Sequence, residues 1–215
     1  MNILNFENNI INLVNQFEQL FEKEKDNIIN NDSAEKYYDY FNNQLSNIKI
    51  IAYHYSKQYM ENDFIDGLIL SDSKLLKEKI IYCANKLKKE ISTEKLNKIV
   101  KKYTSNHLYF TLIKNGLNFN DFSIFGPYSI RAIWDDIFGH NSHFELKKVG
   151  HPIIISAEIP FKYFDNTCKK IIIKSIFTIW INYKKYNITD KKIVITSDIY
   201  INKKLEKKYI KKEIY

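Results

Sequence analysis

The sequence predicts an α+β chain: a mixed sheet with flanking helices, preceded by an N-terminal helical layer over residues 1–47. Three observations carry this. Apolar residues recur at spacings of three and four through the first segment. The spacing tightens into dense, β-branched runs at Ile48–Tyr55 and Ile153–Ile159. Helical and strand-like segments then follow one another without an internal repeat or a low-complexity linker, so residues 48–215 read as one unit.

The elements follow in order. Phe6, Ile10, Leu13, Val14, Phe17, Leu20 and Phe21 place an amphipathic helix over Asn5–Glu24. Asp32 or Ser33 would cap a second helix, running to Tyr40 or Leu45. Ile48–Tyr55 reads as a buried strand ending at His54-Tyr55, and Tyr59–Ile65 as a short helix closed by Gly67. Ser71-Asp72-Ser73 opens a helix from Lys74 to about Lys89, and Ser92-Thr93-Glu94 opens another to about Tyr103. His107–Ile113 alternates as a strand, Gly116–Phe122 is a loop, and Phe125-Gly126-Pro127 is a turn. Ser129–Phe138 is a helix stopped by Gly139; His140 and His143 then fall in a loop. Gly150-His151-Pro152 leads into the apolar strand Ile153–Ile159, which Pro160 ends. Over Cys168–Tyr183 the three–four spacing of Cys168, Ile172, Ile176 and Ile179 favours a helix over a strand. Ile193–Tyr200 reads as a strand and Leu205–Tyr215 as a lysine-rich end.

Composition narrows the class. At 215 residues with 45% hydrophobic content, the chain can bury a sizeable core. The abundance of Lys, Asn and Ile, with few Ala and Gly, matches an AT-rich coding sequence, so composition alone weighs little. The net charge of +8 is uneven: residues 1–50 hold four Lys and eight acidic residues, whereas from Lys162 onward there are fourteen Lys and five acidic residues. A basic C-terminal third suits a nucleic acid, a membrane surface, an acidic partner or a solvated surface. Cys83 and Cys168 form no CxxC and sit among apolar neighbours, which predicts small core residues in a reducing, cytoplasmic setting. No stretch approaches the ~18 apolar residues of a membrane span, and the acidic start is unlike a signal peptide. A soluble protein with no membrane partner is expected.

Motifs exclude several chemistries. No Walker loop, GxGxxG, HExxH or GxSxG occurs. His140 and His143 stand three apart, with Glu145 and His151 beyond, but no second ligand pair accompanies them, so no metal site is expected. Asp135 and Asp136 would point about 100° apart on a helix and so would not converge. His54, expected at a strand end, is the first candidate for a site, since an imidazole there can hold a hydroxyl or move a proton near neutral pH. Glu158 is the second, because a carboxylate inside an apolar strand needs a partner or a role.

Three ordered blocks carry a resemblance. They are Tyr53-His54-Tyr55-Ser56-Lys57 with Phe64-Ile65-Asp66-Gly67-Leu68; Leu108-Tyr109-Phe110-Thr111; and Ile124-Phe125-Gly126-Pro127-Tyr128 followed by a helix and Gly150-His151-Pro152. Together, over roughly residues 48–162, they resemble the ADP-ribosyltransferase-like fold, in particular bacterial proteins with a strand-borne histidine followed by a Gly-Leu turn. The resemblance implies a toxin or defence effector that uses NAD+ to modify a macromolecular acceptor, or that cleaves NAD+. It implies that His54 orients the nicotinamide ribose, that Tyr109 walls the nicotinamide, and that Tyr55 and Ser56 line the amide pocket. Tyr55 stands where the family often has a small residue, and Tyr128 where it has a glutamate. Glu145 or Glu158 would then supply the carboxylate. A catalytically inactive binding protein on the same fold, an inhibitor or a nucleic-acid-binding module, is the alternative that Tyr128 supports.

Overall fold

The computed structural model describes residues 3–4, 6, 18, 38–114, 120–186 and 198–214. The fold is α+β, as expected. Apart from Phe6 and Glu18, the helix expected over Asn5–Glu24 lies outside the described residues, as does the first part of the strand expected at Ile193–Tyr200. Two compact units divide the chain.

The first unit comprises Met1–Tyr53, Tyr109–Gly116 and Ala157–Ile201. It holds β1 (Ile3–Leu4), α1 (Tyr38–Leu45), the first half of β2 (Lys49–Gln58) and most of β3 (Leu108–Thr111). The second half of β4 (His151–Pro160), α6 (Asn166–Tyr186) and β5 (Asp198–Ile201) complete it. Its strands lie in the order β5-β3-β2-β4. β1 runs parallel to β2, Ile3 facing Lys49, and β3 runs antiparallel to β2, Tyr53 facing Thr111. Helix α6 forms where the three–four spacing places it, and Cys168, Ile172 and Ile176 are fully buried. Phe177 meets Phe41 of α1 at 5.1 Å between ring centroids.

The second unit comprises His54–Leu108, Leu117–Ser156 and Asn202–Tyr215. It holds the second half of β2, α2 (Ser73–Lys86), α3 (Thr93–Val100), α4 (Asn120–Phe125), α5 (Tyr128–Phe138), a 3-10 segment Ser142–Lys148, the first half of β4, and β6 (Ile210–Ile214). Asp72 and Ser92 cap α2 and α3 through the Leu75 and Lys95 N–H groups. The inward faces of these helices bury Ile80, Cys83, Leu96, Val100, Ile133 and Trp134 in one cluster.

Three local expectations are corrected. Tyr59–Ile65 is a run of turns, not a helix. The Asp63 carboxylate takes the N–H groups of Tyr59 and Met60, and Phe64 is left-handed at φ 69°, which breaks the helical path. Gly67, at φ 96°, then lies so close to the Leu205 carbonyl that a Cβ would stand 2.1 Å away; only glycine fits there. The loop holding His143 is the 3-10 segment, tied down by Asp135. The lysine-rich end forms β6 at the margin of the sheet, where lysines suit an exposed edge.

Candidate functional site

Strand β2 runs four residues past His54, so His54 is mid-strand rather than at a strand end. Successive side chains on a strand point to opposite faces. His54 and Ser56 therefore share one face, and Tyr53, Tyr55 and Lys57 the other. Ser56 is buried, Tyr55 is buried, and His54 is half-buried. Tyr55 thus does not line a pocket with Ser56.

Tyr109 and Glu158 belong to the first unit. Tyr109 is 52% exposed and packs against Tyr200 of β5, ring centroids 5.9 Å apart. Thr111 faces Tyr53, so Tyr109, two residues on, projects from the same sheet face as Tyr53. Glu158 bonds the Lys49 ammonium at 2.8 Å, which puts it on that face too. Lys49 precedes Tyr53 by four residues, and Tyr109 lies two beyond Thr111. At about 3.3 Å per residue the two side chains stand roughly 20 Å apart along the strands, so they form no joint site.

Glu145 lies in the 3-10 segment and bonds the Lys89 ammonium at 2.9 Å, while that ammonium also covers the Phe138 ring at 4.7 Å. Tyr128 opens α5 and is 64% exposed. NAD+ demands a ribose-orienting group, an amide pocket and a carboxylate free to face the reacting carbon. His54 and Ser56 share one face, but Ser56 is buried there. Tyr55 points the other way, and each candidate carboxylate is paired with a lysine ammonium.

Among the described residues no three His, Cys, Asp or Glu side chains gather as a metal site requires. His143 Nδ1 is instead held by Asp135 at 2.6 Å. Burial raises the Asp135 carboxyl, but hydrogen bonds from the His143 N–H, the His143 ring and the Ser142 hydroxyl outweigh it and hold it below its ordinary value.

The second unit carries a buried polar group that the sequence reading passed over. Lys57 is 1% exposed and donates to the Leu146 carbonyl. Burial pulls its ammonium down to about 8, against a smaller opposing effect of Cys83. The Cys83 thiol is itself pushed up to about 12 by burial. Nearby, Lys79 pairs with Asp63 at 3.3 Å and covers the rings of Tyr59 and Phe64. The available signal was parity: Lys57 shares its strand face with Tyr53 and Tyr55, an odd place for a lysine.

No helix among the described residues is long and apolar enough to cross a membrane. No protein-family model, curated protein or solved structure matches the chain.

Proposed function

We propose that the chain is a nucleic-acid-binding protein on an ADP-ribosyltransferase-like fold, without turnover of NAD+. The observation that carries this reading is the state of Glu158 and Glu145, each within 3 Å of a lysine ammonium. A carboxylate held in an ion pair is less free to face an oxocarbenium-like centre. The partner class follows from Asn202–Lys211. Lys203, Lys204, Lys207, Lys208 and Lys211 are exposed there, and Lys208 lies over the Tyr209 ring at 5.1 Å. Exposed cations beside an aromatic ring suit phosphates and bases. Fluorescence anisotropy of a labelled single-stranded oligonucleotide, between about 50 and 200 mM salt, tests the reading. The logarithm of affinity is expected to fall linearly with that of salt, and Lys207→Gln with Lys208→Gln to lower the slope by about two. Absent or salt-insensitive binding to DNA and RNA would remove the proposal.

A second reading is an NAD+-dependent ADP-ribosyltransferase acting on a macromolecular acceptor. The shared face of His54 and Ser56 favours it. Incubation of labelled NAD+ with protein and cell lysate decides between the two. Label transfer or NAD+ loss that disappears in His54→Ala supports the transferase; neither, in wild type and variant alike, ends it.

A further inference from the structure

The chain contains one arginine, Arg131, against thirty-two lysines. It ends the first turn of α5, an eleven-residue helix whose N-cap is Pro127. Pro127 has no polar side chain to bond the first-turn N–H groups, and no acidic residue stands in that turn. Open N–H groups at a helix start favour an anion.

Two buried polar groups lacking partners belong to residues at or packed against this turn. Tyr59 is 3% exposed, and its hydroxyl is buried without a hydrogen-bond partner. That hydroxyl is aimed at Gly126, two residues before α5, where a Cβ would stand 1.9 Å from it. The Nε of Arg131 is also buried without a partner, its guanidinium 5.1 Å above the Phe122 ring. Long helical side chains lean toward the helix N-terminus, which carries this guanidinium back over the first turn. The carboxylate beside Tyr59, Asp63, is already engaged by the Tyr59 and Met60 N–H groups and by Lys79. The turn thus gathers unanswered donors.

We infer that the N-terminus of α5, Arg131 and the Tyr59 hydroxyl form a binding site for a phosphate-type oxyanion. The planar guanidinium matches two phosphate oxygens at once, which lysine does not. The oxyanion is either free phosphate or the phosphate of a nucleotide.

Thermal unfolding of the full chain in sodium phosphate, against sodium chloride at equal pH and ionic strength, tests the site. Phosphate is expected to raise the midpoint above chloride in a saturable way. Tyr59→Phe, which keeps the ring, and Arg131→Lys, which keeps the charge, are each expected to weaken that response roughly tenfold. Lys207→Gln with Lys208→Gln is expected to leave it intact, which separates this site from the proposed nucleic-acid surface. Adenosine monophosphate in a parallel arm assigns the source. Equal dependence on Arg131 for both ligands means free phosphate suffices; a response to the nucleotide alone that is lost in Arg131→Lys means its phosphate is the ligand, and one that survives Arg131→Lys overturns the assignment. Midpoints that match in chloride, phosphate and nucleotide, or a response that survives both Tyr59→Phe and Arg131→Lys, would overturn the assignment.

Discussion

At the scale of single residues, Lys57 sets a pH dependence with a definite sign. Its ammonium titrates at about 8 in the folded chain, against 10.5 ordinarily. Between those values the unfolded chain binds the extra proton, so this residue makes stability rise with pH from about 8 to 10.5. Cys83 acts oppositely, since its folded thiol holds a proton that the unfolded one loses above 9. The informative quantity is therefore the difference between wild type and Lys57→Met. Chemical denaturation across this range is expected to show the gap shifting toward the wild type as pH rises; a gap that stays constant would refute the assignment. Gly126 supports a second test. An alanine there meets both a φ of 92° and the Tyr59 hydroxyl, and is expected to cost about 1–3 kcal/mol. In Tyr59→Phe the nearest ring atom lies at 3.2 Å from that Cβ, so the double variant is expected to lose less than the two single losses added.

At the scale of elements, Asp135 fastens the 3-10 segment Ser142–Lys148 to α5 through the His143 N–H, the His143 ring and the Ser142 hydroxyl. Its carboxyl is held below the ordinary 3.8, so its stabilisation is complete above that value and lost as pH falls through the lower folded one. Asp135→Ala is expected to cost about 1–2 kcal/mol at neutral pH and to speed hydrogen exchange over residues 142–148. Unchanged exchange there would contradict the fastening role. Helices α2, α3, α5 and α6 were legible because apolar spacing and caps agree: Asp72 before α2, Ser92 before α3 and Gly139 after α5 sit where propensity puts them. The turn at Tyr59–Ile65 was not, because the Asp63 bonds and the left-handed Phe64 are made by geometry that spacing does not encode. β6 was hidden by Lys211 and Lys212, whose charge masks an edge strand in any periodicity count.

At the scale of the molecule, a chain beginning at residue 48 would lose β1 and α1. Phe41 and Leu45 are fully buried, and Phe41 packs on Phe177. Removing one such aromatic costs about 3–5 kcal/mol, against a total stability of roughly 5–15 kcal/mol for a domain. The truncated chain is expected to lose cooperative unfolding by circular dichroism; a retained sharp transition would show residues 1–47 to be dispensable. The candidate residues were legible as types, but their convergence was not. Which face of β2 each occupies depends on strand length and register, and Tyr109 and Glu158 proved far apart along the same face.

Strands β2 and β4 each change unit midway, at Tyr53–His54 and Ser156–Ala157. This bears on how the protein is born. During synthesis the first unit cannot close until residue 201 has left the ribosome, nor the second until the segment from residue 202 follows, because each needs segments from early and late in the chain. The apolar run Ile153–Ile159 therefore emerges before strands β5 and β6 exist. Nascent chains stalled between these points are expected to be held by general chaperones until translation finishes.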